Sequence, residues 1–169
     1  MSDKLKMLLI ALLIIVIGIL IDQVTKALVV KHIFTGVYDS YGRPINQDVQ
    51  VIQHFFKLSY AENTGGGWSI FEGKLWFFYT VTILALFAFG YFMKDFDLKQ
   101  YPLYSVALIL MITGTIGNFI DRIIHKYVVD FLDFIIFGYD FPMFNVADSC
   151  LTIGVAGLLV AVLLHKSPV

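Results

Sequence analysis

The sequence predicts a membrane all-α bundle of four transmembrane helices with a small extracytoplasmic β-sheet segment. Of its 169 residues, 59% are hydrophobic and only 15% are charged, and the mean hydropathy is +0.80. A soluble domain of this size needs a polar surface, and about a quarter of its residues would be charged. Four long apolar stretches therefore indicate that lipid, rather than water, surrounds most of the chain.

The first apolar stretch covers residues 7–21 and follows two lysines, as in a signal peptide. No small-x-small cleavage site follows it, so we interpret it as a helix that stays attached to the protein. Because about 20 residues are needed to span a bilayer, we expect this helix to continue to about residue 28.

Three further stretches complete the predicted bundle. Residues 75–93 carry no charge, residues 101–120 have Pro102 where a helix tolerates it in its first turn, and residues 141–164 carry the single charge of Asp148. The polar segment 31–73 between the first two spans contains turn signals, and residues 49–60 alternate in part between polar and apolar. This pattern predicts one or two strands in a small sheet at the membrane surface, within a single domain of residues 1–169.

The charges predict an orientation and exclude one class of partner. With four spans, both termini and the loop 94–100 share one side, which holds only three of the 13 acidic residues. We therefore expect the termini in the cytoplasm and the segment 31–73 outside the cell membrane. A net charge of -1 provides no basic field for nucleic acid, and the lone cysteine, Cys150, is interpreted as a core residue.

Two aspartates lie in apolar surroundings near the predicted outer face. Asp148 sits seven residues into the fourth span, and Asp130 lies in a stretch, to about residue 137, too short to cross the bilayer. If folding paired them, one would be protonated, because two close carboxylates in a low dielectric do not both ionise cheaply. Such a pair suits peptide hydrolysis. The alternative is that each aspartate is a structural cap or salt-bridge partner.

Other function classes were weighed on the same residues. The four histidines show no metalloprotease spacing, so we predict no metal and no cofactor. No Gly-x-Ser-x-Gly motif indicates a serine hydrolase. A proton-coupled small membrane transporter that uses the buried aspartates is the main rival, since such relays also rely on intramembrane acids.

Five short motifs follow one another from residue 22 to residue 148: Asp22-Gln23-Val24-Thr25-Lys26, Glu62-Asn63-Thr64-Gly65, Gly117-Asn118-Phe119-Ile120-Asp121-Arg122, Val128-Val129-Asp130-Phe131 and Phe144-Asn145-Val146-Ala147-Asp148. Together they resemble the motif set of lipoprotein signal peptidase, also called signal peptidase II. The resemblance implies a membrane aspartyl peptidase whose partners are membrane lipids and prolipoproteins, cut before a cysteine that already carries diacylglycerol.

By that resemblance Asp130 and Asp148 are the catalytic pair, on the extracytoplasmic side of the bacterial inner (cytoplasmic) membrane. The chain departs from the family's usual pattern at Gly66-Gly67-Trp68 and at Thr113-Gly114, neither of which includes the pair. Eight further positions are implied to shape the site or hold substrate: Asp22, Lys26, Asn63, Gly65, Gly117, Asn118, Arg122 and Asn145.

Several of these residues keep a plainer interpretation from spacing alone. Asp22 and Lys26 are four apart and can pair with each other, and Arg122 can snorkel at a helix end. Asn63 precedes glycines as a turn residue does, and Asn145 can cap the fourth helix.

Overall fold

Four long helices form the frame of the molecule. The structure is a computed structural model that describes residues 2–67 and 70–168. The helices are α1 (Asp3–His32), α2 (Leu75–Phe92), α3 (Pro102–Ile124) and α4 (Val146–Leu163), and a short 3-10 turn (Met93–Asp95) follows α2. Each of the four is long and apolar enough to cross a membrane. The chain thus has the helices of a membrane protein, as predicted.

The helix ends follow local chemistry. The side chain of Ser2 accepts a hydrogen bond from the Leu5 N–H and caps α1, and Pro102 opens α3, where its missing N–H costs nothing. The fourth helix begins at Val146 rather than at residue 141, because Asn145 caps it and the residues before it are extended. Asp148 therefore lies in the first turn of α4, and not seven residues inside it.

Helix α3 is the centre of the bundle and contacts α1, α2 and α4. Small residues let α3 and α4 approach closely: a Cβ on Gly114 would overlap the Ala147 carbonyl oxygen, and one on Gly154 would lie 2.7 Å from Met111 Cγ. Along the outer faces, large apolar side chains such as Leu84, Phe87 and Leu163 are exposed. Such a surface suits contact with lipid acyl chains.

Within the described part of the chain, six strands form two small antiparallel sheets. The first pairs β1 (Phe34–Tyr38) with β2 (Pro44–Asn46), and the second has the order β3-β4-β5-β6. Its strands are β3 (Val49–Ile52), β4 (Phe56–Asn63), β5 (Val128–Ile136) and β6 (Tyr139–Asp140). The sheet thus extends beyond the predicted segment 31–73 and takes in the stretch that carries Asp130.

The second sheet packs on the end of α1. Val29 and Ile33 form a buried cluster with Tyr60 of β4 and with Val129 and Phe131 of β5. After β6 the chain returns along β5, where Leu132 N–H donates to the Phe144 carbonyl at 2.8 Å and Phe144 N–H donates to the Leu132 carbonyl at 3.2 Å. This return places the start of α4 beside Asp130.

Candidate active site

Asp130 is a buried carboxylate on β5, opposite Ala61 of β4. The residue is 2% exposed. Each of its oxygens accepts a side-chain amide: Asn145 Nδ2 donates to Oδ1 at 2.7 Å, and Asn63 Nδ2 donates to Oδ2 at 2.9 Å. Two side chains from opposite sides therefore fix the orientation of this carboxylate.

Asp148 reaches the same place from the first turn of α4. Its Oδ2 accepts the Asn145 N–H at 3.1 Å, while its own N–H donates to Asn145 Oδ1 at 2.9 Å, which completes a capping box. Asn118 of α3 donates from Nδ2 to Asp148 Oδ1 at 2.7 Å. All four oxygens of the two aspartates thus accept an N–H donor.

Asn145 joins the two aspartates. Its main chain and side-chain oxygen hold Asp148, and its side-chain nitrogen holds Asp130. The capping interpretation of Asn145 is confirmed, and the same side chain also orients the second carboxylate. One residue therefore couples the start of α4 to strand β5.

The surroundings of Asp130 favour its neutral form. Its pKa is raised from 3.8 to about 7, by burial first and by the nearby charge of Asp148 second, while the amides of Asn63 and Asn145 act in the opposite direction. A carboxyl with such a pKa can hold a proton near neutral pH and can also release it, as acid–base chemistry requires.

The two aspartates border a cavity of about 630 Å³. One wall is the extended segment 141–144 with α4, and the other is the glycine-rich loop after β4. Trp68, part of the Gly66-Gly67-Trp68 departure, lies outside the described residues. The polar and glycine residues that line the cavity are Asn63, Gly66, Gly67, Asn118, Arg122, Asp130, Asp148, Ser149 and Thr152.

Arg122 holds the loop rather than an acid. Its Nη2 donates to the Gly65 carbonyl at 2.9 Å, and its guanidinium lies 4.4 Å from the ring centroid of Phe78 on α2. The residue is only 9% exposed, so the snorkelling interpretation is wrong. Its Nε is buried and has no hydrogen-bond partner among the described residues. The loop is held from within as well, since Gly65 N–H donates to Asn63 Oδ1 at 2.9 Å.

Asp22, Lys26 and Gly117 lie behind the cavity wall. Lys26 does pair with Asp22, at 2.9 Å, as their spacing allowed. A Cβ on Gly117 would lie 2.7 Å from Asp22 Oδ2, so glycine is needed for α1 to approach α3 here. Gln23 and Asp121 contact Asp22 and Lys26 here, but the sequence analysis did not single them out as site residues. The sequence signal that could have identified them is their position inside the first and third motifs.

The histidines, cysteine and acids do not gather into a metal site. Among residues 2–67 and 70–168, no group of three or more His, Cys, Asp or Glu side chains is placed to hold an ion. The polar side chains that line the cavity are two carboxyls, two amides, two hydroxyls and one guanidinium.

Comparisons with known proteins show which family this chain resembles. Residues 14–164 match the family model described as signal peptidase (SPase) II. A lipoprotein signal peptidase of Lactiplantibacillus plantarum is 44% identical over 158 residues, which is 92% of this chain and 95% of that protein. One of Staphylococcus aureus is 44% identical over 159 residues, 93% of this chain and 90% of that protein.

Two solved structures, each described as a bacterial membrane enzyme, have a similar fold. Both are 41% identical to this chain. One has a TM-score of 0.78 and covers 93% of this chain and 89% of its own. The other has a TM-score of 0.74, with 90% and 92% covered.

Proposed function

The chain belongs to the signal peptidase II family and is a membrane protease that removes signal peptides from prolipoproteins, and we propose that Asp130 and Asp148 are its catalytic pair. The observation that carries the proposal is the convergence of the buried Asp130 carboxylate, from β5, and the half-buried Asp148 carboxylate, from α4, on one cavity. The rival interpretation, a proton-coupled transporter, finds no support in the comparisons.

The proposed chemistry is that of an aspartyl peptidase. The two carboxyls share one proton, because both cannot ionise cheaply at this burial. The ionised member takes a proton from a water molecule as that water attacks the scissile carbonyl carbon. The neutral member donates its proton to the carbonyl oxygen and stabilises the tetrahedral intermediate. The proton taken from water then passes to the leaving amine as the C–N bond breaks. The protonated oxygen of the intermediate returns its proton to the pair, which ends with one shared proton, as it began. The raised pKa of Asp130, about 7, supports its assignment as a proton holder.

The residues around the pair orient it and hold the substrate. Asn63, Asn118 and Asn145 donate to the aspartates and keep the carboxylates facing the cavity. Arg122 lines the cavity and fixes the loop at Gly65. Glycines in this loop allow the close approach of an extended substrate backbone.

We place the site at the extracytoplasmic face of the bacterial cell membrane, with both termini in the cytoplasm and residues 1–169 acting as one domain. Helix α1 has 30 residues, about 45 Å at 1.5 Å per residue, which exceeds the hydrocarbon thickness of about 30 Å. Its last turns therefore extend past the acyl chains and carry the sheet beyond them. The skew of acidic residues toward this side supports the orientation.

The proposed substrate is a prolipoprotein that already carries diacylglycerol on the cysteine that follows the cut. Its signal peptide is helical within the bilayer, because its backbone must be satisfied internally. It enters the cavity from the side, and the residues at the bond to be cut unwind along the glycine-rich loop. The acyl chains stay among the helices and lipids. An unlipidated prolipoprotein that was cut as fast as the lipidated one would contradict this picture.

The test of the pair uses Asp130→Asn, Asp148→Asn and the double variant, purified in lipid and assayed on a lipidated prolipoprotein. Each single variant should lose nearly all turnover, and the double variant should be little worse, because residues that act as one unit are not additive. The matched control is Asp133→Asn on the same strand, a buried acid that pairs with Lys57 at 3.2 Å and does not line the cavity. Near wild-type turnover in a properly inserted single variant would refute the aspartyl mechanism.

A further inference from the structure

A buried group of charged side chains lies behind the two aspartates, where no substrate reaches. It consists of Asp22, Gln23 and Lys26 on α1 and Asp121 on α3, and we call it the α1–α3 ion cluster. Asp22, Lys26 and Asp121 are 0%, 3% and 2% exposed. None of the four lines the cavity.

The cluster is internally bonded through its lysine and its amide. Lys26 Nζ lies 2.9 Å from Asp22 Oδ2 and 2.9 Å from Asp121 Oδ2. Gln23 Nε2 donates to the same two carboxylates, at 3.1 and 2.9 Å. The two acids are therefore bridged twice, and neither can move without the other.

Each acid of the cluster also holds the backbone next to one catalytic aspartate. Asp22 Oδ1 accepts the N–H of Ala147 at 2.9 Å, and Asp121 Oδ2 accepts the N–H of Val129 at 3.1 Å. Ala147 and Val129 are the residues that immediately precede Asp148 and Asp130. Each acid of the cluster thus accepts a backbone N–H from the residue immediately before one catalytic aspartate.

The lysine provides a third connection. Lys26 Nζ donates to Asn118 Oδ1 at 3.1 Å, and Asn145 Nδ2 lies 3.2 Å from the same oxygen. Because two donors face this oxygen, the amide of Asn118 must present its Nδ2 on the other side. There it donates to Asp148 Oδ1 at 2.7 Å. The ammonium group therefore determines which end of Asn118 meets the catalytic carboxylate.

Stability alone is a poor reason for such a cluster. Burying three charges has a large desolvation cost, and well-packed apolar residues often serve a fold as well or better. The cluster instead links two segments whose side chains must meet within a fraction of an ångström. A misplacement of about 1 Å at a reacting group is enough to lower a rate about 100-fold.

We propose that Asp22, Lys26 and Asp121 are positioning residues that set the separation and facing of the two catalytic carboxylates. This inference rests on the assignment of Asp130 and Asp148 as the catalytic pair. The cluster acts through Ala147, Val129 and Asn118, and it contacts neither substrate nor water at the cavity. Its loss therefore affects turnover and not substrate affinity.

The test measures kcat and KM, per folded enzyme in lipid, for a lipidated prolipoprotein. Asp121→Asn and Lys26→Met should each lower kcat about 100-fold and leave KM nearly unchanged. The pH profile of kcat should also shift, because the donors to the pair are displaced. The double variant should be little worse than either single one, since the two residues work through the same bridge.

Matched controls make the same chemical changes elsewhere. Asp3→Asn at the far end of α1 and Lys31→Met in its exposed last turn should leave both constants unchanged. If Asp121→Asn or Lys26→Met does not fold, Gln23→Met tests the same bridge without a change of charge. It should lower kcat by a smaller factor and leave KM unchanged.

The outcomes separate this inference from the function on which it rests. A folded Asp121→Asn or Gln23→Met enzyme with wild-type kcat, beside inactive Asp130→Asn and Asp148→Asn, would overturn the positioning role alone. A loss explained entirely by less folded protein, or by a raised KM, would overturn it too. Activity in the Asp130→Asn or Asp148→Asn enzyme would instead overturn the catalytic assignment.

Discussion

Replacement of Asn145 separates its two roles, because serine and alanine remove different parts of the side chain. The oxygen of Asn145 caps α4 by accepting the Asp148 N–H at 2.9 Å, and its nitrogen donates to Asp130 at 2.7 Å. Asn145→Ser keeps an oxygen that can cap the helix but cannot reach Asp130. Asn145→Ala removes both interactions.

The expected magnitudes follow from these two bonds. Loss of a helix cap costs about 1 kcal/mol of stability, so Asn145→Ala should unfold at a lower temperature than Asn145→Ser. A hydrogen bond to a charged group contributes about 1.5–3 kcal/mol. If that energy is used to hold Asp130 in its reactive orientation, both variants should lose about 10- to 150-fold in kcat.

The assay is cleavage of a lipidated prolipoprotein by enzyme reconstituted in lipid, with thermal unfolding measured on the same samples. Thr80→Ala on α2 is a suitable control, because its hydroxyl likewise donates to the carbonyl four residues earlier, at 2.9 Å, and the residue does not line the cavity. Wild-type kcat in Asn145→Ser would refute the orienting role and leave Asn145 as a cap. An equal loss of stability in both variants would refute the separation of the two roles.

Three further predictions concern pH, packing and topology. Because the pKa of Asp130 is raised to about 7 in the folded protein, the folded state binds more protons than the unfolded state between about pH 4 and 7. The wild type should therefore lose stability relative to Asp130→Asn as pH rises through this window, which thermal unfolding of both proteins across that range measures. A difference between their unfolding midpoints that does not change with pH would contradict this prediction. Gly114→Ala forces a Cβ into the Ala147 carbonyl oxygen, so it should lower the free energy of unfolding by about 1–3 kcal/mol and should lower turnover. The control Gly90→Ala, whose Cβ meets no atom within 4 Å, should change neither. Equal stability of the two variants would argue against tight α3–α4 packing. Ser40→Cys, in the exposed β1–β2 turn, should react with a membrane-impermeant thiol reagent added to intact cells, and labelling only in opened cells would reverse the assigned topology.

Much of the architecture follows from local sequence. Apolar stretches longer than a bilayer's thickness can only be helices in lipid, since no water is present to satisfy their backbone. Four helices form within the described residues at these stretches, although α4 begins at Val146 rather than at residue 141. A buried acid in such a chain needs a functional or structural reason, and this singled out Asp130 and Asp148 before any fold was known.

Local patterns did not predict the strand that carries Asp130. Residues 128–136 form β5 because β4 provides a partner for them more than 60 residues earlier in the chain. The apolar run before α4 looked helical, yet residues 141–144 are extended because they return along β5. Hydrophobicity reports that a segment is buried, but the partner decides whether it is helix or strand.

The sequence by itself predicted the helix bundle, a sheet within residues 31–73 and the two aspartates as candidates. Only the tertiary structure decided that Asp130 and Asp148, eighteen residues apart, share one cavity and one asparagine. It also decided the role of Asp121, whose carboxylate meets Lys26 from α1 and Val129 from β5. These contacts join segments that are distant in sequence. Local periodicity indicates which side chains are buried, but it does not indicate which distant residue each of them contacts.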